Sequence, residues 1–173
     1  MEIKTLDIFC EIIDNYGDIG VVYRIAKEFY KKYNNKIEIR VFLNRIDEFL
    51  KINSRAKNIE FQNIDGISYI TYKYLNENIE KFETADVIIE AFGCNIPEGY
   101  MEKAYYNSDL MINLEYLSAE DWIEDFHLNL SPVGKGKLKK IFYMPGFTEK
   151  SGGIIVDSNY MERIEMVKKN FQM

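Results

Sequence analysis

Along this chain, short continuous apolar runs alternate with stretches in which apolar residues recur at helical spacing. The first run, LDIFCEII at 6–13, has strand length and is apolar nearly throughout, the pattern of a central strand covered on both faces. After the turn-like DNYGD, apolar positions recur at Val22, Ile25, Ala26, Phe29, Tyr30 and Tyr33 and stop at Asn34 and Asn35, which predicts one amphipathic helix. IEIRVFL at 37–43 then reads as a second strand. Together these segments predict a β-α-β unit with a parallel crossover.

The alternation continues to the end of the chain. RIDEFLKI at 45–52 reads as a short helix, and 59–64 and 67–72 as short strands joined by a turn at Asp65 and Gly66. ADVIIEAFG at 85–93 has the pattern of a buried strand, PEGYMEKAYY at 97–106 that of a helix with proline at its first position, and LMINLEYL at 110–117 that of another strand. A helix is expected at 119–126, a loop rich in Gly and Lys at 131–140, a last strand at 141–144, and a helical tail from Ser158. Strands and helices in this order predict an α/β fold: a Rossmann-like, open, mostly parallel sheet with helices on both faces. Residues 1–157 are expected to form that domain and 158–173 a terminal helix.

Composition narrows the class. A chain of 173 residues, 47% hydrophobic and 14% aromatic, can bury one sizeable core. No apolar run approaches the roughly 18 to 20 residues that span a bilayer, and the opening residues lack a basic segment followed by an apolar stretch, so a cytoplasmic protein without a membrane partner is expected. Cys10 and Cys94 lie far apart inside apolar runs and read as free core thiols. A net charge of −6 argues against a nucleic-acid partner and suits a cationic one. Charge is also unevenly placed, because no Lys or Arg falls between Lys103 and Lys135 while Asp109, Glu115, Glu120, Asp121, Glu124 and Asp125 do. That stretch is either a solvated face or a landing surface for a positively charged protein loop.

In open parallel sheets ligands sit beyond the carboxyl ends of the strands, which directs attention to the loops after residues 13, 92 and 117. The first, IDNYGDIG at 13–20, packs two glycines and two carboxylates into a helix entry. Gly17 and Gly20 allow a close backbone approach, and the helix start offers free N–H groups. Asp18 is placed either to cap the helix or to act as a base, and Asp14 either to shape a turn or to orient a substrate. The loop lacks GxGxxG spacing, and the second strand is followed by Asn44 and Arg45 without an acid, which argues against a nicotinamide-cofactor dehydrogenase. His127, the sole histidine, reads as structural in preference to catalytic. Trp122 reads as core or interface anchor, and the lysines at 135, 137, 139 and 140 as an exposed loop in preference to a phosphate grip. No residues show metal-ligand spacing, so no metal or other cofactor is expected.

Four strings carry a resemblance to a known family: LDIFCEIIDNYGDIGVVYRIA at 6–26, ADVIIEAFGCNIPE at 85–98, MINLEYLSAEDWIE at 111–124 and FYMPGFTEKSGGII at 142–155. In this order they resemble the N-terminal half of the EarP family, the arginine rhamnosyltransferases of elongation factor P. The resemblance implies a GT-B glycosyltransferase with two facing Rossmann-like domains. It implies inverting transfer of L-rhamnose from dTDP-β-L-rhamnose to one arginine of elongation factor P. The family's two essential N-domain carboxylates map onto Asp14 and Asp18, with Asp18 as general base and Asp14 helping to hold the guanidinium. The backbone at Tyr16, Gly17, Ile19 and Gly20 would line the sugar side of the cleft. Glu115, Tyr116, Glu120 and Asp121 become candidates for binding the acceptor. By the same resemblance a C-terminal domain holding most of the nucleotide is expected beyond this chain, so that the chain alone would be inactive. The competing expectation is a non-catalytic module that binds elongation factor P without modifying it.

Overall fold

The computed structural model describes residues 2–13, 16–33, 36–132 and 135–171. Its strands are β1 (Thr5–Cys10), β2 (Glu38–Leu43), β3 (Phe61–Ile64), β4 (Ile67–Thr71), β5 (Val87–Ala91), β6 (Leu110–Leu114) and β7 (Lys139–Tyr143). Its helices are α1 (Gly17–Tyr33), α2 (Asp47–Ile52), α3 (Tyr72–Glu77), α4 (Glu98–Asn107), α5 (Ile123–Phe126) and α6 (Tyr160–Phe171). One sheet joins the strands in the order β3-β4-β2-β1-β5-β6-β7, and every pairing is parallel except that of β3 with β4. The expected α/β, Rossmann-like sheet is therefore present.

β1 sits at the centre and is buried on both faces, which explains its unbroken apolar run. Leu6, Ile8 and Cys10 pack with Ile19, Val22, Ile25 and Ala26 of α1, and Phe49 of α2 joins that layer. Phe9 points the other way and packs with Leu75 of α3 and with Tyr100 and Ala104 of α4. Its ring stacks on Phe42, its register partner in β2, at 4.6 Å. Helices thus cover both faces, and both cysteines are free and buried, with burial pushing the Cys94 thiol up to about 11.

Several boundaries differ from expectation for identifiable reasons. β1 ends at Cys10 instead of residue 13, because its partners β2 and β5 end at Leu43 and Ala91, directly opposite Cys10, and no ladder remains beyond them. Residues 72–77 form α3, which the sequence pattern missed; Thr71 caps it, its hydroxyl accepting the Tyr74 N–H at 3.2 Å. Pro97 stands at the N-cap of α4, and the first helical position, where the proline was expected, is taken by Glu98. Of the helix expected at 119–126, only Ile123–Phe126 is helical. The turn at Asp65 and Gly66 joins β3 and β4 as a tight hairpin in which both residues have positive φ, 54° and 83°, the conformation for which an Asp-Gly pair is suited.

The outer side of β7 is not bare. Leu128 N–H donates to the Phe142 carbonyl, Phe142 N–H to the Asn129 carbonyl, and Ser131 N–H to the Lys140 carbonyl, so the segment after α5 runs antiparallel along that edge.

Candidate active site

Three chain segments converge at the carboxyl ends of β1, β5 and β6. The first leaves β1 through Glu11, Ile12 and Ile13. Its path is fixed by Asn44, just past β2, whose side chain accepts the Ile12 N–H at 2.9 Å and donates back to the Ile12 carbonyl at 3.3 Å. The sequence showed Asn44 only as the absence of an acid; its structural task is to clamp this exit. Glu11 in turn accepts from the backbone N–H and the side-chain amide of Asn95, tying the first segment to the one after β5.

Asp18 lies in the first turn of α1, one residue inside the helix, and is only 5% exposed. The structure overturns its reading as a helix cap: the carboxylate faces back toward the sheet, where Oδ2 accepts the Ile13 N–H at 3.3 Å and Oδ1 accepts the Tyr116 hydroxyl at 2.9 Å. Gly17 and Gly20 likewise belong to the first turn of α1 and not to a loop, with Gly20 N–H bonded to the Tyr16 carbonyl at 2.9 Å. Among the described residues, apart from the helix's own backbone and the chain neighbours, no atom lies within 4 Å of where a Cβ would stand at either glycine. Ile19 puts its side chain in the core, which leaves only its backbone for a ligand, and Tyr16 is exposed with the Lys51 ammonium 5.6 Å from its ring. Asp14, the other carboxylate of the sequence motif, lies outside the described residues.

The second segment follows β5. Phe92 and Gly93 both adopt left-handed backbone, φ 59° and 63°, and the Phe92 N–H donates to the Leu114 carbonyl at 2.7 Å. For a bulky residue that conformation is a true outlier, held in place by its surroundings. The Phe92 ring stacks on the Tyr116 ring at 4.2 Å with 13° between planes.

The third segment follows β6. Glu115 N–H is held by the Tyr143 carbonyl, Tyr116 turns inward to Asp18, and Ser118 pairs with Gly146 in a short bridge. Gly146 is required there, since a Cβ would stand 2.4 Å from the Ile123 side chain. Beyond the bridge the chain enters a turn bearing exposed Glu120 and Asp121, followed by α5. Of the four candidate acceptor residues, the structure thus brings Tyr116 onto Asp18 and leaves Glu120 and Asp121 on the outer surface. Trp122, next in sequence, is 52% exposed, and Phe126, Leu128, Leu130 and Phe147 are exposed as well. Trp122 is therefore not a core residue; its ring meets Phe126 edge-on at 5.8 Å.

Other sequence candidates resolve plainly. His127 Nδ1 accepts the Met144 N–H at 3.1 Å, its ring meets Tyr143, and burial lowers its pKa; it is a structural residue joining the end of α5 to the strand β7 region. Lys137 pairs with Asp109 at 2.9 Å and Lys140 with Glu90 at 2.5 Å, while Lys135 lies over Tyr105, so three of the four lysines are engaged by other side chains. Among the described residues no group of three or more His, Cys, Asp or Glu could hold a metal ion, and no helix is long and apolar enough to cross a membrane.

An open, largely parallel sheet between two helical layers, with a buried carboxylate gathered at its carboxyl edge by three segments, defines a Rossmann-like α/β domain of the kind paired in GT-B glycosyltransferases. The family described as "Elongation-Factor P (EF-P) rhamnosyltransferase EarP" matches residues 6–173, and the chain belongs to that family. It is 35% identical over 164 residues to the protein-arginine rhamnosyltransferase of Pseudomonas putida, covering 92% of this chain and 41% of that protein. It is 36% identical over 160 residues to the protein of the same name from Pseudomonas aeruginosa, covering 91% and 41%. With the protein-arginine rhamnosyltransferase of Neisseria meningitidis it shares 32% identity over 157 residues, covering 91% and 40%. The chain thus spans about two fifths of the length of the curated relatives it matches.

Proposed function

We propose that this chain is the acceptor-side domain of an inverting protein-arginine rhamnosyltransferase that moves L-rhamnose from dTDP-β-L-rhamnose to an arginine of elongation factor P. The observation that carries this reading is the buried, doubly hydrogen-bonded Asp18 carboxylate at the carboxyl edge of the sheet, in a chain that belongs to this family. Asp18 acts as the base and Asp14 as its partner in holding the guanidinium. The helix start at Gly17 and Gly20, with the backbone of Tyr16 and Ile19, faces the donor sugar.

The chemistry sets a constraint on the order of events. A guanidinium has a pKa above about 12, so a carboxylate cannot deprotonate it in the ground state. Attack comes first: a guanidinium nitrogen forms a bond to the anomeric carbon while the bond from that carbon to the nucleotide's terminal phosphate oxygen breaks. As the nitrogen gives up its electron pair it becomes far more acidic, and its proton passes to Asp18. Attack from the face opposite the leaving nucleotide inverts the anomeric centre. A carboxylate pair favours arginine over lysine, because only arginine presents a planar fork.

Docking of the acceptor follows from the surface beside the site. Glu115, Glu120 and Asp121 lie in the stretch without lysine or arginine, next to exposed Trp122 and Phe126. An acidic rim around exposed aromatic residues suits a basic protein loop with an apolar tip. The test uses the complete gene product, incubated with dTDP-rhamnose and elongation factor P. The expected result is the mass of one deoxyhexose on a single arginine, lost in the Asp18→Asn variant. Binding of elongation factor P with no mass gain would instead identify a docking module.

A further inference from the structure

We propose that Tyr116 is a positioning residue for the reaction: its hydroxyl, held by the stack on Phe92, fixes the plane of the Asp18 carboxylate. The proposal rests on the reading of Asp18 as the base and adds a residue that acts through it.

Asp18 projects from the first turn of a helix, and the torsion that sets a carboxylate's plane is broad and weakly restrained. One hydrogen bond would leave that plane free to rotate about the bonded oxygen. Among the described residues there are two, one to each oxygen, from groups far apart in the chain: the Ile13 N–H just past β1 and the Tyr116 hydroxyl just past β6. Between them they define both the direction and the plane of the carboxylate. An ionised carboxylate offers about four lone-pair sites, more than these two bonds take up.

The phenol is suited to this task. Burial and the neighbouring Asp18 push its pKa up to about 12, so it stays protonated and remains a donor. Tyr116 as a residue is 53% exposed, so it is not a core side chain. What aims it is the parallel stack on Phe92, and Phe92 reaches that place by adopting left-handed backbone at the end of β5. A residue that served only to fill space would need neither the outlying backbone beneath it nor a hydroxyl directed at a buried carboxylate.

The experiment compares Tyr116→Phe, Phe92→Leu and Asp18→Asn in the complete gene product, with kcat and acceptor KM measured separately and folding checked by urea denaturation. Tyr116→Phe keeps the ring and the stack and removes one hydroxyl. It is expected to lower kcat by about 10- to 100-fold, the range for a misoriented catalytic group, with acceptor KM changed by less than about twofold. Phe92→Leu, which keeps the hydroxyl but loosens its aim, should lower kcat by a smaller factor. A Tyr116→Phe enzyme with wild-type kcat overturns the proposal, and so does one whose only change is a raised acceptor KM, which would make Tyr116 an acceptor contact. If Asp18→Asn itself turns over normally, the reading of Asp18 as base fails instead, and the two failures are thereby told apart.

Discussion

Asp7 and Arg40 stand directly opposite each other on β1 and β2 and share two hydrogen bonds, of 2.6 and 2.7 Å, near the amino ends of the strands whose carboxyl ends frame Asp18. Asp7 is fully buried and is also held by the Tyr100 hydroxyl, while the Arg40 guanidinium lies against Phe42 and Phe82. One end of the sheet therefore carries a closed charge network, and the other a buried acid held, among the described residues, by two hydrogen bonds. Removing one partner of a buried pair strands the other charge. Arg40→Ala is expected to cost about 3 to 5 kcal/mol in urea denaturation. Asp18→Asn should change stability by less than about 1 kcal/mol, since its hydrogen-bonded site can accept an amide. Equal losses would erase the division between a structural and a functional end.

A second prediction concerns acid. Asp86 accepts the Lys4 and Thr5 N–H groups, and these bonds, that of Lys4 foremost, hold its pKa below the usual carboxylate value. A carboxylate depressed in the folded state contributes stability that is present above its unfolded pKa of about 3.9 and is lost as pH falls through the folded value. Asp86→Asn should therefore be less stable than the parent by about 1 to 2 kcal/mol at pH 7, with the gap closing below about pH 4. A gap that is constant with pH would mean the bonds do not depend on charge.

The single histidine gives a direct reading of its own environment. Burial lowers the pKa of His127, whose Nδ1 already accepts the Met144 N–H. An NMR titration of the imidazole should show a midpoint below the ordinary value of about 6.5. Because the unfolded chain takes up the proton first, stability present above about pH 6.5 should decline as pH falls through the window beneath it. A midpoint at or above the ordinary value would refute the structural role given to this ring.

At Gly20 nothing among the described residues requires glycine: none of their side chains lies near the position of a Cβ, and the residue sits within α1. Gly20→Ala should raise stability by about 0.5 to 1 kcal/mol. If the donor sugar approaches this backbone, the same variant should raise the donor KM several-fold. A more stable enzyme with an unchanged donor KM would remove Gly20 from the donor's path.

Docking can be separated into its charged and apolar parts by salt. Reversing Glu120 and Asp121 to Lys should weaken binding of elongation factor P strongly at low ionic strength and little at high, where screening has already removed the attraction. Trp122→Ala should weaken it by about tenfold or more at either. Isothermal titration across a salt series distinguishes the two, and parallel salt curves for both variants would mean that the surface is not divided in this way.

How much of this was legible in the sequence depended on whether a feature is written in a local period. The central strand, the amphipathic α1 and the parallel order of strands follow from runs and spacings that neighbouring residues carry. α3 was missed because its cue is a single capping threonine at the end of a strand, with no apolar repeat long enough to announce it. Asp18 stood out because two carboxylates and two glycines crowd one short segment, yet its role as cap or base could not be decided there. Its hydrogen bond from Tyr116, 98 residues away, is connected to it by no local pattern. The pairing of Asp7 with Arg40 was invisible as well, since a lone acid inside an apolar run discloses nothing until strand register sets its partner opposite.

The segment laid along the outer side of β7 has a further consequence for how the molecule meets others. Extended peptides often join a protein by adding a strand to an exposed sheet edge, where backbone groups bind almost any sequence. Here residues 128–131 already use the β7 groups that would serve, which shuts out recruitment by that route and the edge-to-edge aggregation that accompanies it. Recognition on this flank is left to side chains, and side chains, unlike a bare backbone edge, can tell one visitor from another.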